Sequence, residues 1–158
     1  MPDRKRMQEF DALKKTNRMS LKVTIMCPDR VFWNATADEV ILPTATGQMG
    51  VLKNHTPLIT GLDIGVMLVR PEKTTGSSNA WISMALMGGF ALVKDNTITV
   101  LVNDAELGSS VDQTAAEKTF AETQTALEKA SLASRKEKIE ASLAFKRARA
   151  RLQAFSQK

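Results

Sequence analysis

Few residues of this 158-residue chain have the type and spacing that catalysis requires. The single histidine, His55, lies in Lys-Asn-His-Thr-Pro and could act as a general base, but no neighbouring serine or cysteine marks a nucleophile. The single cysteine, Cys27, occupies an alternating strand position, which favours a buried side chain over a reactive thiol. One histidine and one cysteine also exclude the paired ligands of common zinc motifs. We therefore predict no catalytic residue, no metal site and no cofactor.

Two glycine-containing segments have to be considered as phosphate-binding loops. Neither Gly-Gln-Met-Gly at 47–50 nor Gly88-Gly89 has the spacing of a P-loop or of a dinucleotide-binding turn, and no helix is predicted directly after either segment. Tight turns or close contacts between strands explain these glycines better. A small enzyme built around His55 is therefore the least favoured function class.

The strongest chemical signal is a basic strip near the C terminus, formed by Lys146, Arg147, Arg149 and Arg151. The chain has a formal net charge of +5, and residues 112–158 hold ten basic and six acidic residues, whereas residues 19–111 hold six and eight. Three interpretations remain open: a solvated helix face, a docking strip for an acidic protein surface, and a nucleic-acid contact. No recognisable nucleic-acid-binding motif accompanies the strip.

Strand signals fill residues 20–111. All eight glycines lie between Gly47 and Gly108, which indicates strands and tight turns first and long helices afterwards. Residues 44–50 are predicted as a loop and residues 71–79 as a hairpin tip. Short strands without intervening helices predict an antiparallel β-sandwich or a closed antiparallel sheet. The clearest single strand alternates apolar with polar or long side chains at Leu21, Val23, Ile25 and Cys27.

Residues 112–155 are predicted to form two helices. Asp112 can cap the first helix, and Ser134 with Glu137 forms a capping box that starts the second. Apolar and small side chains recur at helical spacing on both, so an antiparallel αα-hairpin is the simplest arrangement. Because its connector contains neither glycine nor proline, the sequence permits both a compact hairpin and one continuous helix about 66 Å long. The connector consists of Ser131, Leu132, Ala133 and Ser134.

The chain thus divides into three segments. Residues 1–18 are mostly polar and lack the apolar run of a secretory signal, so we expect a disordered extension. Residues 19–111 form the β domain, and residues 112–158 form the helical domain. No apolar run approaches the roughly 18 residues that a membrane span requires.

Several motifs resemble one known family. The run Gly-Gln-Met-Gly-Val-Leu-Lys-Asn-His-Thr-Pro at 47–57, the pair Gly88-Gly89, and the Ala- and Arg-rich hairpin after them are similar to the epsilon subunit of the rotary, F-type ATP synthase. The similarity covers roughly residues 19–155 in the family's order. Asp-Arg-Val-Phe-Trp at 29–33 and Val-Asn-Asp-Ala-Glu at 102–106 look closest to chloroplast and cyanobacterial members.

The resemblance implies a ten-stranded antiparallel β-sandwich followed by two C-terminal helices, in a subunit that carries no active site. It implies a position in the central rotor stalk of a proton-translocating ATP synthase, with the sandwich against the gamma subunit and the membrane rotor ring. It also implies a peripheral location on the stromal face of a thylakoid membrane, with the cytoplasmic face of a bacterial membrane as the alternative. The rotor contacts it implies are Gly47, Gly50, Asn54, His55 and Pro57.

The resemblance further implies a regulatory role for the two helices. Compact helices pack beside the sandwich and permit turnover, whereas extended helices reach the alpha and beta subunits of the catalytic head and impede ATP hydrolysis. Residues 131–134 are then the hinge, and the basic strip meets acidic segments of the beta subunits. The alternative function is a basic module that binds nucleic acid through its C-terminal helices.

One departure from the family limits this comparison. Some bacterial members bind ATP through an Ile/Leu-Asp-x-x-Arg-Ala motif at the start of the first helix. The matching segment is Val-Asp-Gln-Thr-Ala-Ala at 111–116, which keeps Asp112 but has Ala115 in the arginine position. We therefore do not predict nucleotide binding.

Overall fold

The computed structural model describes residues 20–74 and 78–157, so the predicted extension at 1–18 and part of the predicted hairpin tip at 71–79 lie outside the described residues. Two helices follow the strands: α1 (Gln113–Lys129) and α2 (Arg135–Ser156). Single 3₁₀ turns lie at Gly108–Ser110 and Ala130–Leu132. The strands are β1 (Leu21–Cys27), β2 (Arg30–Thr44), β3 (Gly47–Val51), β4 (Leu58–Pro71), β5 (Ile82–Lys94), β6 (Thr97–Val102) and β7 (Ala105–Leu107).

The strands close into a ring. The order is β1-β6-β5-β4-β2, and β1 pairs with β2 to complete the circuit, while β3 extends from β2 and β7 pairs with β5. All these pairings are antiparallel except that of β1 with β6, which is parallel. An entirely antiparallel sheet was therefore the wrong expectation. The parallel pair arises because β1 and β6 are brought side by side when the ring closes.

The predicted count of ten strands is also wrong, because the described part of the chain has seven. Strands β2, β4 and β5 are 15, 14 and 13 residues long, and each passes through both layers of the sandwich. The first half of β2 pairs with β1, and its second half pairs with β3 and β4. Likewise β5 pairs with β7 near its start and with β6 near its end. Backbone pairing continues past the register shifts in β2, so segments that were predicted as separate strands form single long ones.

Glycine allows β5 to bend between the layers. Gly88 and Gly89 have φ of +77° and +153°, where L side chains are strained. A Cβ atom on Gly89 would collide with the backbone of Leu101 in β6. This pair is therefore a strand bend with a close strand contact, as predicted, and not a phosphate-binding loop.

The segment 44–50 is not the predicted loop. Strand β2 continues to Thr44, and β3 begins at Gly47 and pairs antiparallel with it, so only two residues form the turn. Glycines at 47 and 50 weaken the strand signal, because glycine is a poor strand former. Pairing with the long β2 overrides that local preference.

The sandwich core consists of the inward side chains of both layers. Leu21, Val23 and Ile25 are fully buried, and Cys27 is buried beside them, which confirms the predicted alternation in β1. Burial raises the pKa of the Cys27 thiol, so the group stays protonated. The remaining fully buried large side chains are Val40, Leu42, Val51, Met67, Val69, Met84, Leu86, Val93 and Ile98.

The two helices begin at the predicted caps. The Asp112 carboxylate accepts a hydrogen bond from the Ala115 amide at 2.9 Å, and Ser134 and Glu137 form a reciprocal capping box. The rings of Phe120 and Phe145 lie 5.3 Å apart between the two helices. Neither described helix combines the length and the apolar character needed to cross a membrane.

Candidate docking surfaces on the sandwich and the hairpin

Helix α2 lies against the outer side of the layer built from the second half of β4 and the first half of β5. Ala150 and Ala154 are buried in this contact, where they pack with Val66 of β4 and Ala85 of β5. Small side chains on both surfaces allow the helix axis to approach the sheet closely. The contact area that any one of them contributes is small, so the hairpin is attached by many weak contacts.

The C-terminal end of α2 is held by one buried hydrogen bond. The Ser83 hydroxyl donates to the Ala154 carbonyl at 2.6 Å, and Ser83 is the one buried polar residue among those described. Ala154 lies in the last turn of α2, where carbonyls have no partner within the helix. Gly108 lies under this carbonyl, and a Cβ atom there would collide with it. The sandwich thus supplies the cap of α2.

The first residue of the basic strip, Lys146, contacts the sandwich directly. Its Nζ atom lies 3.2 Å from Asp63 Oδ2 and 3.4 Å from Oδ1, and both side chains are about two-fifths exposed. The pKa of Asp63 is lowered mainly by the hydrogen bond from the Ile64 amide, with a further contribution from Lys146. The backbone therefore keeps this carboxylate charged in the position where Lys146 meets it.

The last residue of the strip, Arg151, forms a bidentate ion pair. Its Nε atom lies 2.6 Å from Glu106 Oε2, and one terminal nitrogen lies 3.2 Å from Oε1. The hydrogen bonds that Arg151 donates to Glu106 raise the pKa of the guanidinium above its ordinary value. Two parallel hydrogen bonds fix the guanidinium plane, so this pair is the more directional of the two.

The two central arginines of the strip have different surroundings. The Arg149 guanidinium carbon lies 5.8 Å from the ring centroid of Phe145. Arg147 lines an open cavity of about 670 Å³ between the hairpin and the sandwich, together with Asn103, Asp104, Thr119 and Thr123. The strip was predicted as one unit, whereas in the compact hairpin the ion pairs found among the described residues involve its two ends, Lys146 and Arg151, and not its two central arginines.

Half of the predicted hinge at 131–134 is helical. Ala130–Leu132 form a 3₁₀ turn, and only Ala133 and Ser134 have extended backbone, with ψ of 178° and 158°. Straightening the hairpin into one helix therefore requires rotation mainly at these two residues. Leu132 is 96% exposed at the tip, whereas Ala130 at the start of the turn is buried, so packing opposes this rotation only at the base of the turn.

The predicted rotor-contact residues do not form one cluster. Asn54, His55 and Pro57 lie together in the loop between β3 and β4, facing the β5–β6 turn. Asn54 and Asn96 exchange hydrogen bonds of 2.6 and 3.3 Å, and both have positive φ, so this loop is held in a defined shape. Gly50 and Gly47 lie instead on β3, and Gly47 is at its far end, about 13 Å of strand from Val51.

A bare apolar face on the outer side of the other layer was not predicted from the sequence. Its members are directly paired across neighbouring strands, so they point the same way. They belong to five strands, and the helices cover the opposite layer. The bare face consists of Met26, Val31 (60% exposed), Ile59 (72%), Phe90 (62%), Leu92 and Leu101 (51%). The sequence signal for this face was the presence of apolar residues at outward positions of strands that otherwise alternate apolar with polar residues.

Comparison with known proteins identifies the family. The family model described as the β-sandwich domain of the ATP synthase delta/epsilon chain matches residues 20–108, and the long α-helix domain of the same chain matches residues 109–156. The chloroplastic ATP synthase epsilon chain of Tupiella akineta is 57% identical over 138 residues, which is 87% of this chain and all of that one. The chain belongs to the ATP synthase epsilon-chain family. Epsilon chains are non-catalytic subunits, so the expectation of no active site of its own is confirmed.

Two further comparisons extend this result. The epsilon chain of Synechococcus sp. (strain PCC 6716) is 50% identical over 137 residues, 86% of this chain and 95% of that one, which confirms the resemblance to chloroplast and cyanobacterial members. A chain of the mitochondrial ATP synthase structure of Euglena gracilis, an assembly with F1 and the c-ring, has a TM-score of 0.72 at 19% identity, covering 87% of this chain and 82% of that chain. This likeness shows that the epsilon-family fold is shared. None of these relatives favours the nucleic-acid alternative.

The family's nucleotide motif is incomplete in this chain. The Asp112 carboxylate caps α1, where it accepts the hydrogen bond from the Ala115 amide. Ala115 has no charge to offer a phosphate group. Nucleotide binding was therefore not predicted, and these two residues give the structural reason.

Proposed function

We propose that this epsilon chain joins the gamma subunit to the membrane rotor ring in the central stalk of a proton-translocating ATP synthase, and that its helical hairpin regulates ATP hydrolysis. The domain division follows the same scheme: residues 19–111 bind the rotor and residues 112–158 regulate. The complex would carry the chain peripherally on the stromal face of a thylakoid membrane, as the chloroplastic names of its relatives suggest.

The bare apolar face is the observation that carries the rotor assignment. Soluble chains rarely leave a contiguous apolar surface uncovered unless a partner binds there. Helix α2 packs on one layer of this sandwich, whereas the apolar side chains on the outer side of the other layer are exposed. We assign the bare face to the gamma subunit, because a permanent partner accounts for aromatic and aliphatic side chains held open to water.

The rigid loop at Asn54, His55 and Pro57 is assigned to the rotor ring. The hydrogen bonds between Asn54 and Asn96 hold this loop without help from a partner. A preorganised loop loses little conformational entropy when it binds. Gly47 and Gly50 lie outside this loop on the edge strand β3, so their assignment to the rotor contact rests on the family resemblance alone.

The hairpin is assigned the regulatory role. In the compact form the basic strip lies on the sandwich, and in an extended form Lys146, Arg147, Arg149 and Arg151 would face the acidic segments of the beta subunits. A few weak contacts and two extended residues separate the two forms, so a modest difference in binding free energy can change their populations.

Capture of purified gamma subunit by this chain tests the proposed rotor contact. Phe90→Ser and Leu101→Ser place hydroxyl groups in the middle of the bare face without disturbing the core, so we expect capture of purified gamma to fall at least about tenfold. Leu132→Ser is the matched control, because Leu132 is equally apolar and 96% exposed on the hairpin. Undiminished capture by both face variants would refute the assignment of this face.

ATP hydrolysis tests the regulatory half. Complexes assembled with a chain that ends at Val111 should retain the subunit and hydrolyse ATP faster than complexes with the full chain. The amount of gamma-bound subunit serves as the assembly control. If hydrolysis is no faster at equal assembly, the helices do not inhibit the head.

A further inference from the structure

We infer that Asp63 and Glu106 form an acidic latch that competes with the catalytic head for Lys146 and Arg151. The latch sets how easily the hairpin leaves the sandwich. This inference rests on the proposed function, since it concerns the regulation of the same hairpin. Its evidence is the geometry of the compact form.

The latch holds α2 from both sides of one strand. Asp63 belongs to β4 and Glu106 to β7, and both strands pair with β5, one along each edge. Lys146 and Arg151 are five residues apart on α2, about 7.5 Å along the helix axis. The helix therefore crosses β5 with one ion pair anchored on either side, and Ala150 packs on the sheet between them.

The two ion pairs compete with binding of the same cations elsewhere. Glu106 occupies Nε and one terminal nitrogen of Arg151, which form one of the two edges through which a guanidinium binds a carboxylate with two hydrogen bonds. Lys146 approaches both oxygens of Asp63. The carboxylates of the sandwich therefore occupy the positions that acidic segments of the head would occupy in the extended form. Release of the helix and availability of its cations are one event.

The latch is weak enough to open. The four side chains of the two pairs are between 30% and 43% exposed, so water and salt screen their attraction. The remaining hydrogen bond, from Ser83 to Ala154, joins groups that water can satisfy after the helix leaves. Each ion pair should accordingly shift the ratio of compact to released hairpin by about twofold to fivefold.

Neutralising Asp63 or Glu106 tests the latch without removing the cations that would bind the head, because Lys146 and Arg151 remain in place. Glu106→Gln and Asp63→Asn should each accelerate hydrogen exchange of the amides at 148–156 in the isolated full chain by about twofold to fivefold. In the assembled complex the same variants should lower ATP hydrolysis, since released helices are free to bind the head. Glu72→Gln makes the same carboxylate-to-amide change at the end of β4, beside Thr36 of β2, and should change neither quantity.

Exchanging the charges gives the opposite pattern. Glu106→Arg combined with Arg151→Glu restores an ion pair across the same gap but leaves an acid on α2. Exchange of the amides at 148–156 should then return towards the wild-type rate, whereas the complex should hydrolyse ATP as fast as one whose chain ends at Val111. In the variant with Arg151→Glu alone, hydrogen exchange of the same amides should be fast, because the introduced carboxylate then faces that of Glu106.

The two hypotheses fail in different experiments. If exchange in Glu106→Gln and Asp63→Asn equals that of Glu72→Gln, or the charge exchange does not slow it relative to Arg151→Glu, the latch is wrong. If these exchange rates behave as expected but truncation at Val111 leaves ATP hydrolysis unchanged, the proposed regulatory function is wrong. The competition between the latch and the catalytic head is then wrong as well. If truncation raises hydrolysis but Glu106→Gln does not lower it, the competition alone is wrong.

Discussion

The four cations of the basic strip differ in what they bind, although they lie within six residues on one helix. Lys146 and Arg151 reach carboxylates that are 83 and 45 residues away in sequence. Helical spacing predicts which cations share a side, but it contains no information about partners that only tertiary packing brings near. Local contacts were predictable for the same reason: the Asp112 cap and the Ser134–Glu137 box involve residues three apart.

Asp63 should make stability depend on pH in the acid range. Its pKa in the folded chain lies below the ordinary value of 3.8, mainly because the Ile64 amide donates to it. A lowered pKa means that the charged carboxylate stabilises the fold above about pH 4, and that this contribution is lost as pH falls through the folded-state pKa. The difference in unfolding free energy between wild type and Asp63→Asn, below about 1 kcal/mol for so exposed a group, should therefore vanish at low pH.

The control for this titration is Lys146→Gln. Because the Ile64 amide is the larger cause, most of the pH dependence should survive in that background. Denaturant unfolding at a series of pH values between 2 and 7 measures both effects. A difference that stays constant across the whole series would contradict the assigned cause.

For the strands and helices, the presence of an element was easier to predict from the sequence than its length. The alternation in β1, the caps of both helices and the missing helix-breakers of the connector are local properties, and the structure has the corresponding elements. The long strands were not predictable as single elements, because their bends depend on contacts such as that of Gly89 with the Leu101 backbone. Strand β3 depends likewise on pairing with β2.

The seating of α2 should be sensitive to one added methyl group. Gly108→Ala places a Cβ atom against the Ala154 carbonyl and the Ser83 hydroxyl, so the end of the helix must move away from the sandwich. We expect a loss of about 1–3 kcal/mol in the stability of the compact hairpin, measured by thermal unfolding and by faster exchange of the amides at 150–156. Ser109→Ala, an exposed neighbour in the same turn, should leave both unchanged. A Gly108→Ala variant as stable as wild type would show that the contact of the Ala154 carbonyl with the sandwich does not hold this end of α2 in place.

At the scale of the whole molecule, the sandwich has two outer faces with different occupants. Helix α2 packs on one face, and the bare apolar face is the one that we propose for the gamma subunit. The net charge of +5 alone suggested a polyanion, but the basic helical domain rests on a mildly acidic sandwich and binds two of its carboxylates. Sequence could locate the charge but not the internal partner that competes for it.

Arg135→Pro in the assembled complex is the most direct test of the two-state hairpin. Arg135 is the first residue of α2, where proline is tolerated, and Ser134 already has the extended backbone that proline prefers before it. In one continuous helix the same proline would cost about 3 kcal/mol. Complexes with Arg135→Pro should therefore hydrolyse ATP as fast as complexes whose chain ends at Val111, whereas Arg135→Ala should be inhibited like wild type. Inhibition of Arg135→Pro complexes to the wild-type level would contradict the claim that the hairpin regulates hydrolysis by straightening.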